Sequence, residues 1–141
     1  MTLCGVTVAA ERGPDGWSDA DPLAHAVIDA LLGAAGMGDI GGHFPPGAPQ
    51  WRDAAGTRLL GRVGEMLHQA NKKIVNLDAT VLLAAPPLSP HLGVIKVSLA
   101  QALGMAPQNI NLKAKSGNGL GFVGRGEGIA AEAVVLLETI R

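Results

Sequence analysis

The stretch G-L-G-F-V-G-R-G-E-G, from Gly119 to Gly128, runs directly into the apolar segment Ile129–Ile140. Five of its ten residues are glycine. Glycine is favoured where the backbone needs a positive φ or approaches another segment closely, so we expect this loop in a crowded place. We predict a helix after the loop, which puts Arg125 and Glu127 at its start, where unpaired N–H groups favour anions. The alternative is a glycine-rich turn in which Arg125 and Glu127 pair with each other.

The composition indicates one domain that spans residues 1–141 and buries a single core. Apolar residues make up 48% of the chain and the mean hydropathy is +0.27, which predicts surface hidden in an oligomer. The net charge of −1 gives no basic field, so we expect no nucleic-acid partner and no membrane partner. The single cysteine, Cys4, excludes an internal disulfide and suits a reducing compartment. With no apolar run of membrane-spanning length and no signal peptide, we expect a cytoplasmic protein.

The spacing of apolar residues predicts strands alternating with helices, and therefore a mixed α+β domain. The segment Gly36–Gly42 is expected to break the first helix, and the proline-rich loop His43–Asp53 is expected to cover a cleft. The predicted strands are Leu3–Ala9, Ile74–Ala84 and Ile110–Ala114; the predicted helices begin at Asp21, at about Thr57 and at His91; and Arg12–Ser18 is predicted to be a loop.

Three long strings carry a resemblance to a known family. They are D-A-L-L-G-A-A-G-M-G-D-I-G at Asp29–Gly41, N-I-N-L-K-A-K-S at Asn109–Ser116 and F-V-G-R-G-E-G-I-A at Phe122–Ala130. Over nearly its whole length the chain resembles the 2-C-methyl-D-erythritol 2,4-cyclodiphosphate synthase family. The resemblance implies a homotrimer in which the sheets pack around the trimer axis and the active sites lie between adjacent subunits. It also implies a reaction that expels CMP from a cytidine-diphosphate substrate, closes a cyclic diphosphate and depends on zinc and magnesium.

The metal ligands implied by the resemblance are incomplete in this sequence. His25 matches the family's helical zinc ligand, but the family's Asp-x-His motif has no counterpart here, and Asn118 stands where the family has its magnesium-binding Glu. One imidazole cannot hold zinc well, and an amide is a poor substitute for a carboxylate. We therefore expect no cofactor, with zinc and magnesium lost. Further candidate ligands by type, none with metal-like spacing to His25, are Cys4, Asp19, His43, His68 and His91.

The substrate-binding residues implied by the resemblance are partly retained. Asp39 and Gly41 match the ribose-contacting positions, and Pro86 lies in the cytosine-binding segment, where Pro87 replaces a lysine. Pro46 replaces the Asp that contacts the methylerythritol hydroxyls, which removes a hydrogen-bond acceptor. Ser18 is retained in a segment whose first residue, Trp17, replaces a histidine. Trp17 either stacks on a flat ligand or plugs the space beside the metal site.

Two residues are candidates for catalysis. His25 is the only acid or base that can be placed near the inherited pocket, and it shares one helix face with Asp21 and Asp29 at i, i+4, i+8 spacing. The alternative is a buried histidine hydrogen-bonded to a neighbouring carboxylate. Lys115, followed by Ser116, stands where the family contacts phosphate and can offer positive charge to a bound anion. The alternative for Lys115 is a solvated side chain at a strand end.

Phe122, Arg125 and Glu127 match family residues that line a central cavity on the trimer axis, where an anion can bind. With this axis retained and the metal ligands lost, we favour a homotrimer repurposed to bind or transform a different phosphorylated or nucleotide-like small molecule without metals. The second hypothesis is a non-catalytic trimer that senses an anion or has a structural role. The third is the ordinary CMP-releasing synthase reaction, if the chain is truncated.

Overall fold

A computed structural model of the chain describes residues 1–10 and 20–141. It is an α+β domain, as predicted, in which three long helices pack on one face of a three-stranded sheet. The strands are β1 (Thr2–Leu3), β2 (Val6–Thr7), β3 (Lys72–Leu82), β4 (Ile110–Lys115) and β5 (Ala130–Thr139). The helices are α1 (Pro22–Ala34), α2 (Ile40–His43), α3 (Gly56–Gln69), α4 (Leu92–Leu103) and α5 (Gly121–Gly124).

The sheet has the strand order β4–β3–β5. β3 pairs with β4 in parallel, from Leu77 opposite Ile110 to Leu82 opposite Lys115. β3 pairs with β5 in antiparallel, from Lys72 opposite Thr139 to Leu82 opposite Ala130. The carboxyl ends of β3 and β4 and the amino end of β5 therefore meet at one edge of the sheet, which we call the C-edge. The opposite edge, with the amino ends of β3 and β4, is called the N-edge.

The strand predicted over Leu3–Ala9 is instead a tight hairpin of two short strands. Cys4 and Gly5 form its turn with φ of 47° and 79°. Two successive residues with positive φ are characteristic of the turns that match strand twist in two-residue hairpins. This turn is not predicted from the residue types, because cysteine is an uncommon residue at positive φ.

The segment Ala130–Thr139, predicted to be helical, is the strand β5. Its alanine, leucine and glutamate residues favour a helix, but ten pairings with β3 determine its structure instead. Its side chains alternate between the helix-covered face of the sheet and the open face. The prediction of a helix start at Arg125 and Glu127 is therefore wrong, and the anion-binding argument that rested on it does not hold.

The other predicted elements are present, with ends shifted by at most two residues. Helix α1 begins at Pro22 after the N-cap Asp21, and Leu23, Val27 and Leu31 on its predicted apolar face are buried, whereas Ala34 at its end is exposed. The predicted break at Gly36–Gly42 contains the start of the short helix α2. The predicted loop Arg12–Ser18 lies outside the described residues.

The open face of the sheet carries exposed apolar side chains. Val134 and Leu136 on β5 are 73% and 58% exposed, and Phe122 in the glycine loop is 53% exposed. Large apolar side chains on a regular strand face are a feature of surfaces covered by another chain. The trimer stays a prediction, and the exposed apolar side chains of this face are compatible with it. None of the helices in the described ranges is long and apolar enough to span a bilayer.

Candidate functional site

A pocket of about 210 Å³ opens beside α1 and the short helix α2. It brings together two residues that the sequence predicted to share a site, His25 from α1 and Gly41 from α2. Pro46 from the predicted cleft-covering loop is part of the same wall, so that loop does border a cavity, as expected. The remaining wall is apolar and consists of Ile40, Phe44, Trp51 and Leu59.

Two carboxylates bind the first turn of α2, and one of them belongs to α1. Asp39 is the N-cap of α2, and its Oδ1 accepts a hydrogen bond from the backbone N–H of Gly42 at 3.0 Å. Asp29 on α1 accepts another from the N–H of Ile40 at 2.8 Å. The first-turn N–H groups of a helix lack partners within the helix, so these carboxylates fix its position. Asp29, which was predicted to share a helix face with His25, therefore attaches the pocket wall to the helix that carries His25.

One side of the pocket is formed by an aromatic pair that was not among the predicted site residues. The rings of Phe44 and Trp51 meet edge to face with centroids 4.8 Å apart. The guanidinium of Arg58 lies 5.0 Å from the Trp51 ring centroid, and its NH1 donates to the Gln50 carbonyl at 3.2 Å. Arg58 therefore holds the loop against the first turn of α3. The sequence signal that could have predicted this pair is the presence of two aromatic residues in a proline-rich loop.

Three other predicted site residues lie at the C-edge. Pro86 follows β3 after a cis peptide bond with Ala85, Lys115 is the last residue of β4, and Ser116 comes directly after it. The Leu83 N–H donates to the Lys115 carbonyl at 2.9 Å, which aligns the two strand ends. Ser116 Oγ accepts a hydrogen bond from the N–H of Asn118 at 3.3 Å. None of these predicted residues is among the described residues that line the His25 pocket.

The glycine loop is crowded, as predicted. A Cβ atom at Gly124 would lie 2.5 Å from the carbonyl carbon of Gly119, which no real side chain tolerates. Arg125 and Glu127 form a two-pronged ion pair, from Arg125 Nε to Glu127 Oε1 at 2.7 Å and from NH2 to Oε2 at 3.2 Å. The alternative that these two residues pair with each other is therefore correct. An anion at this position would compete with the Glu127 carboxylate for Arg125.

A charged cluster occupies the open face of the sheet. Lys113 Nζ donates to Asp78 Oδ2 at 2.8 Å and Asn111 Nδ2 donates to Asp78 Oδ1 at 3.0 Å. The hydrogen bond from Lys113, followed by that from Asn111, lowers the pKa of the Asp78 carboxyl below its ordinary value. Val134 is opposite Asp78 in the strand pairing, so this cluster borders the exposed apolar residues of β5.

The described residues alone do not form a zinc site. In residues 1–10 and 20–141, no three His, Cys, Asp or Glu side chains come close enough to hold a metal ion. Among the described residues that line the pocket, His25 carries the only imidazole, and His43 Nε2 lies 2.6 Å from the Met37 carbonyl oxygen. A zinc site needs about three protein ligands. The predicted residues Trp17, Ser18 and Asp19 lie outside the described residues.

Comparison with known proteins identifies the family that has this fold. The sequence model of the YgbB family matches residues 1–138, and the chain belongs to this family. It is 48% identical over 137 residues to the 2-C-methyl-D-erythritol 2,4-cyclodiphosphate synthase of Moorella thermoacetica, covering 97% of this chain and 84% of that protein. It is 49% identical over 138 residues to the synthase of Desulfatibacillum aliphaticivorans, covering 98% and 89%.

Solved structures agree with this assignment. A 2C-methyl-D-erythritol-2,4-cyclodiphosphate synthase in its CDP-bound form matches with a TM-score of 0.89 and 32% identity, covering 98% of this chain and 89% of that one. The bifunctional IspDF of Campylobacter jejuni matches with a TM-score of 0.93 and 33% identity, covering 99% of this chain but 38% of that one. The fold and family predicted from the sequence are confirmed.

Proposed function

We propose that this chain carries out the reaction for which its relatives are named, the closure of a cyclic diphosphate with expulsion of CMP. In this reaction a phosphate oxygen of the substrate attacks the phosphorus bonded to CMP. The bond between that phosphorus and the CMP oxygen breaks, and its electron pair leaves with CMP. The observation that carries the proposal is the pocket formed by His25 and Gly41 beside the Asp39 cap, in a fold that superimposes on a CDP-bound synthase.

The site we propose is shared between two copies of the chain. His25 and Gly41 line the pocket and Asp39 caps the helix that carries Gly41, whereas Lys115 and Ser116 lie at the C-edge and are not among the lining residues. A site that needs both groups is completed when the C-edge of one subunit faces the pocket of its neighbour. The exposed apolar side chains on the open sheet face support such an assembly, and a homotrimer is the arrangement that the family resemblance implies.

The groups in this shared site have complementary chemistry. Asp39 Oδ1 is occupied by Gly42, while its Oδ2 has no hydrogen-bond partner among the described residues and can accept a bond from a ribose hydroxyl. Lys115 has no carboxylate partner in the described part of the chain, so its ammonium can neutralise charge on a diphosphate. The Ser116 hydroxyl accepts from the Asn118 N–H and makes a long contact of 3.5 Å to Asn118 Oδ1, and it can donate to a phosphate oxygen in place of that contact. His25 can hold or deliver a proton at the pocket wall.

The repurposed, metal-independent function favoured by the sequence is the second candidate. Pro46 supports it, because proline lines the pocket where the family resemblance implies a hydroxyl-binding Asp. It is the weaker candidate, because relatives that are 48% and 49% identical are named as the ordinary synthase. The anion-sensing trimer has less support still, since the Arg125 guanidinium is engaged by Glu127.

The decisive experiment measures CMP release from the family's cytidine-diphosphate substrate by chromatography, together with the metal content of the same preparation. We expect release by the wild-type chain and loss of at least about 100-fold in the His25→Ala variant. A matched control is His68→Ala, which changes a histidine at the end of α3 that is not among the pocket-lining residues. A folded wild-type protein that releases no CMP, with and without added zinc and magnesium, would overturn the proposal and favour the repurposed function.

A further inference from the structure

A second cavity, of about 400 Å³, opens at the N-edge of the sheet. It lies between the last turn of α3, the residues after α4 and the first residues of β3. Its volume is in the range of pockets that hold small molecules. Because Lys115 and Ser116 lie at the opposite edge, this N-edge cavity is distinct from the proposed catalytic site.

Basic side chains surround the N-edge cavity. Lys72 and Lys73 from β3 and His68 from α3 line it, and no acidic residue is among its described lining residues. Lys72 Nζ donates to a neutral partner, Thr139 Oγ1, at 2.8 Å. Glu138 is opposite Lys73 in the strand pairing, yet within the described residues these two side chains form no ion pair. Among the described residues, neither lysine is therefore engaged in an ion pair at this cavity.

Apolar side chains form the rest of the wall. Leu67, 2% exposed, belongs to the core, and Leu103, Met105 and Ile74 extend the same surface towards the opening. An apolar wall beside two lysines fits a ligand that has both an anionic and an apolar part. The lysines supply point charges for the anion, while the wall removes the apolar part from water.

We propose that the N-edge cavity binds a phosphate monoester with a short apolar chain. A dianionic phosphate matches two ammonium groups and the His68 ring better than a monoanionic carboxylate does. The apolar part of the ligand lies against Leu103 and Met105. The binding involves no covalent step and does not depend on the proposed reaction.

Calorimetric titration with hexyl phosphate tests this site, with hexanol as its neutral counterpart and hexanoate as its carboxylate counterpart. We expect hexyl phosphate to bind at least about tenfold more tightly than either. The double variant Lys72→Gln/Lys73→Gln is expected to weaken binding by about tenfold or more. Lys96→Gln, which changes a lysine on α4 not found among the cavity-lining residues, serves as the matched control and is expected to bind normally.

Asn109→Glu provides a second variant, because Asn109 is exposed and lines the cavity, so a carboxylate there opposes an anion without removing a lysine. Circular dichroism verifies that each variant is folded, and CMP release is expected to stay at the wild-type rate in all of them. The proposal is overturned by wild-type affinity in either cavity variant, by equal binding of hexanol or hexanoate, or by no measurable binding of hexyl phosphate.

Discussion

The Asp21 carboxylate accepts a hydrogen bond from the backbone N–H of Gly5, 3.1 Å away, and so attaches the N-terminal hairpin to α1. Its other oxygen accepts from the N–H of Ala24 at 2.9 Å, which is the N-cap bond of the helix. Asp21 is completely buried. One side chain therefore positions both the hairpin and the helix that carries His25.

We expect Asp21→Ala to lower the free energy of unfolding by about 2 kcal/mol, because the change removes the cap and leaves the Gly5 N–H without its acceptor. Urea denaturation followed by circular dichroism measures this. Asp21→Asn keeps an acceptor oxygen of the same shape and is expected to cost less. Equal stability of Asp21→Ala and the wild type would show that the hairpin and helix hold together by packing alone.

Gly124→Ala is expected to destabilise the glycine loop, because the added Cβ would meet Gly119 backbone atoms at 2.5 to 3.0 Å. Backbone cannot move aside as a flexible side chain can, so we expect a loss of about 1 to 3 kcal/mol. Gly33→Ala, in α1, is the matched control, since its added Cβ meets nothing within 4 Å. That variant should be unchanged or slightly more stable, as alanine favours helix. Similar unfolding midpoints for the two variants would contradict the crowding.

Local sequence signals correctly predicted the elements that nearby residues stabilise. The main wrong prediction concerns a segment whose structure depends on long-range strand pairing. Pro22 and its preceding Asp21 predicted the start of α1 correctly, because a cap and a first-turn proline act within a few residues. The residues of Ala130–Thr139 favour a helix, and only pairing with β3 makes them a strand. Likewise, the sequence related His25 to Gly41 correctly but gave no sign that Arg58 contacts Trp51.

Arg58→Ala is expected to loosen the loop beside the His25 pocket, because it removes the guanidinium from the Trp51 ring and from the Gln50 carbonyl. An exposed contact of this kind is worth about 0.5 to 1 kcal/mol, so we expect KM for CMP release to rise about two- to fivefold with kcat nearly unchanged. Arg62→Ala, on the same helix and paired with Glu65, is the matched control and should leave KM unaltered. A lower kcat at constant KM in Arg58→Ala would argue against a role in positioning the loop.

The Asp78 cluster predicts a pH dependence of stability. Because Lys113 and Asn111 lower the pKa of Asp78 in the folded state, its stabilising contribution is present above the ordinary aspartate pKa of 3.8 and is lost as pH falls through the lower folded value. Asp78→Asn should therefore reduce stability at pH 7 by less than about 1 kcal/mol, as for other exposed pairs, and the difference should shrink in acid. Urea unfolding of both proteins from pH 7 down to pH 3 measures it. A difference that grows in acid would contradict the assigned direction.

The shared site can be tested by mixing two inactive variants. His25→Ala and Lys115→Ala should each lose most CMP release, because each variant removes a residue that every shared site needs. If the two are unfolded and refolded together at equal amounts, about one in four neighbouring pairs carries both intact residues, so about a quarter of the wild-type rate should return. His25→Ala refolded with a His25→Ala/Lys115→Ala double variant is the control, since no pairing in that mixture has an intact His25. No recovery in the first mixture, with assembly of both variants verified by light scattering, would place the two residues in one subunit's own site and overturn the shared arrangement.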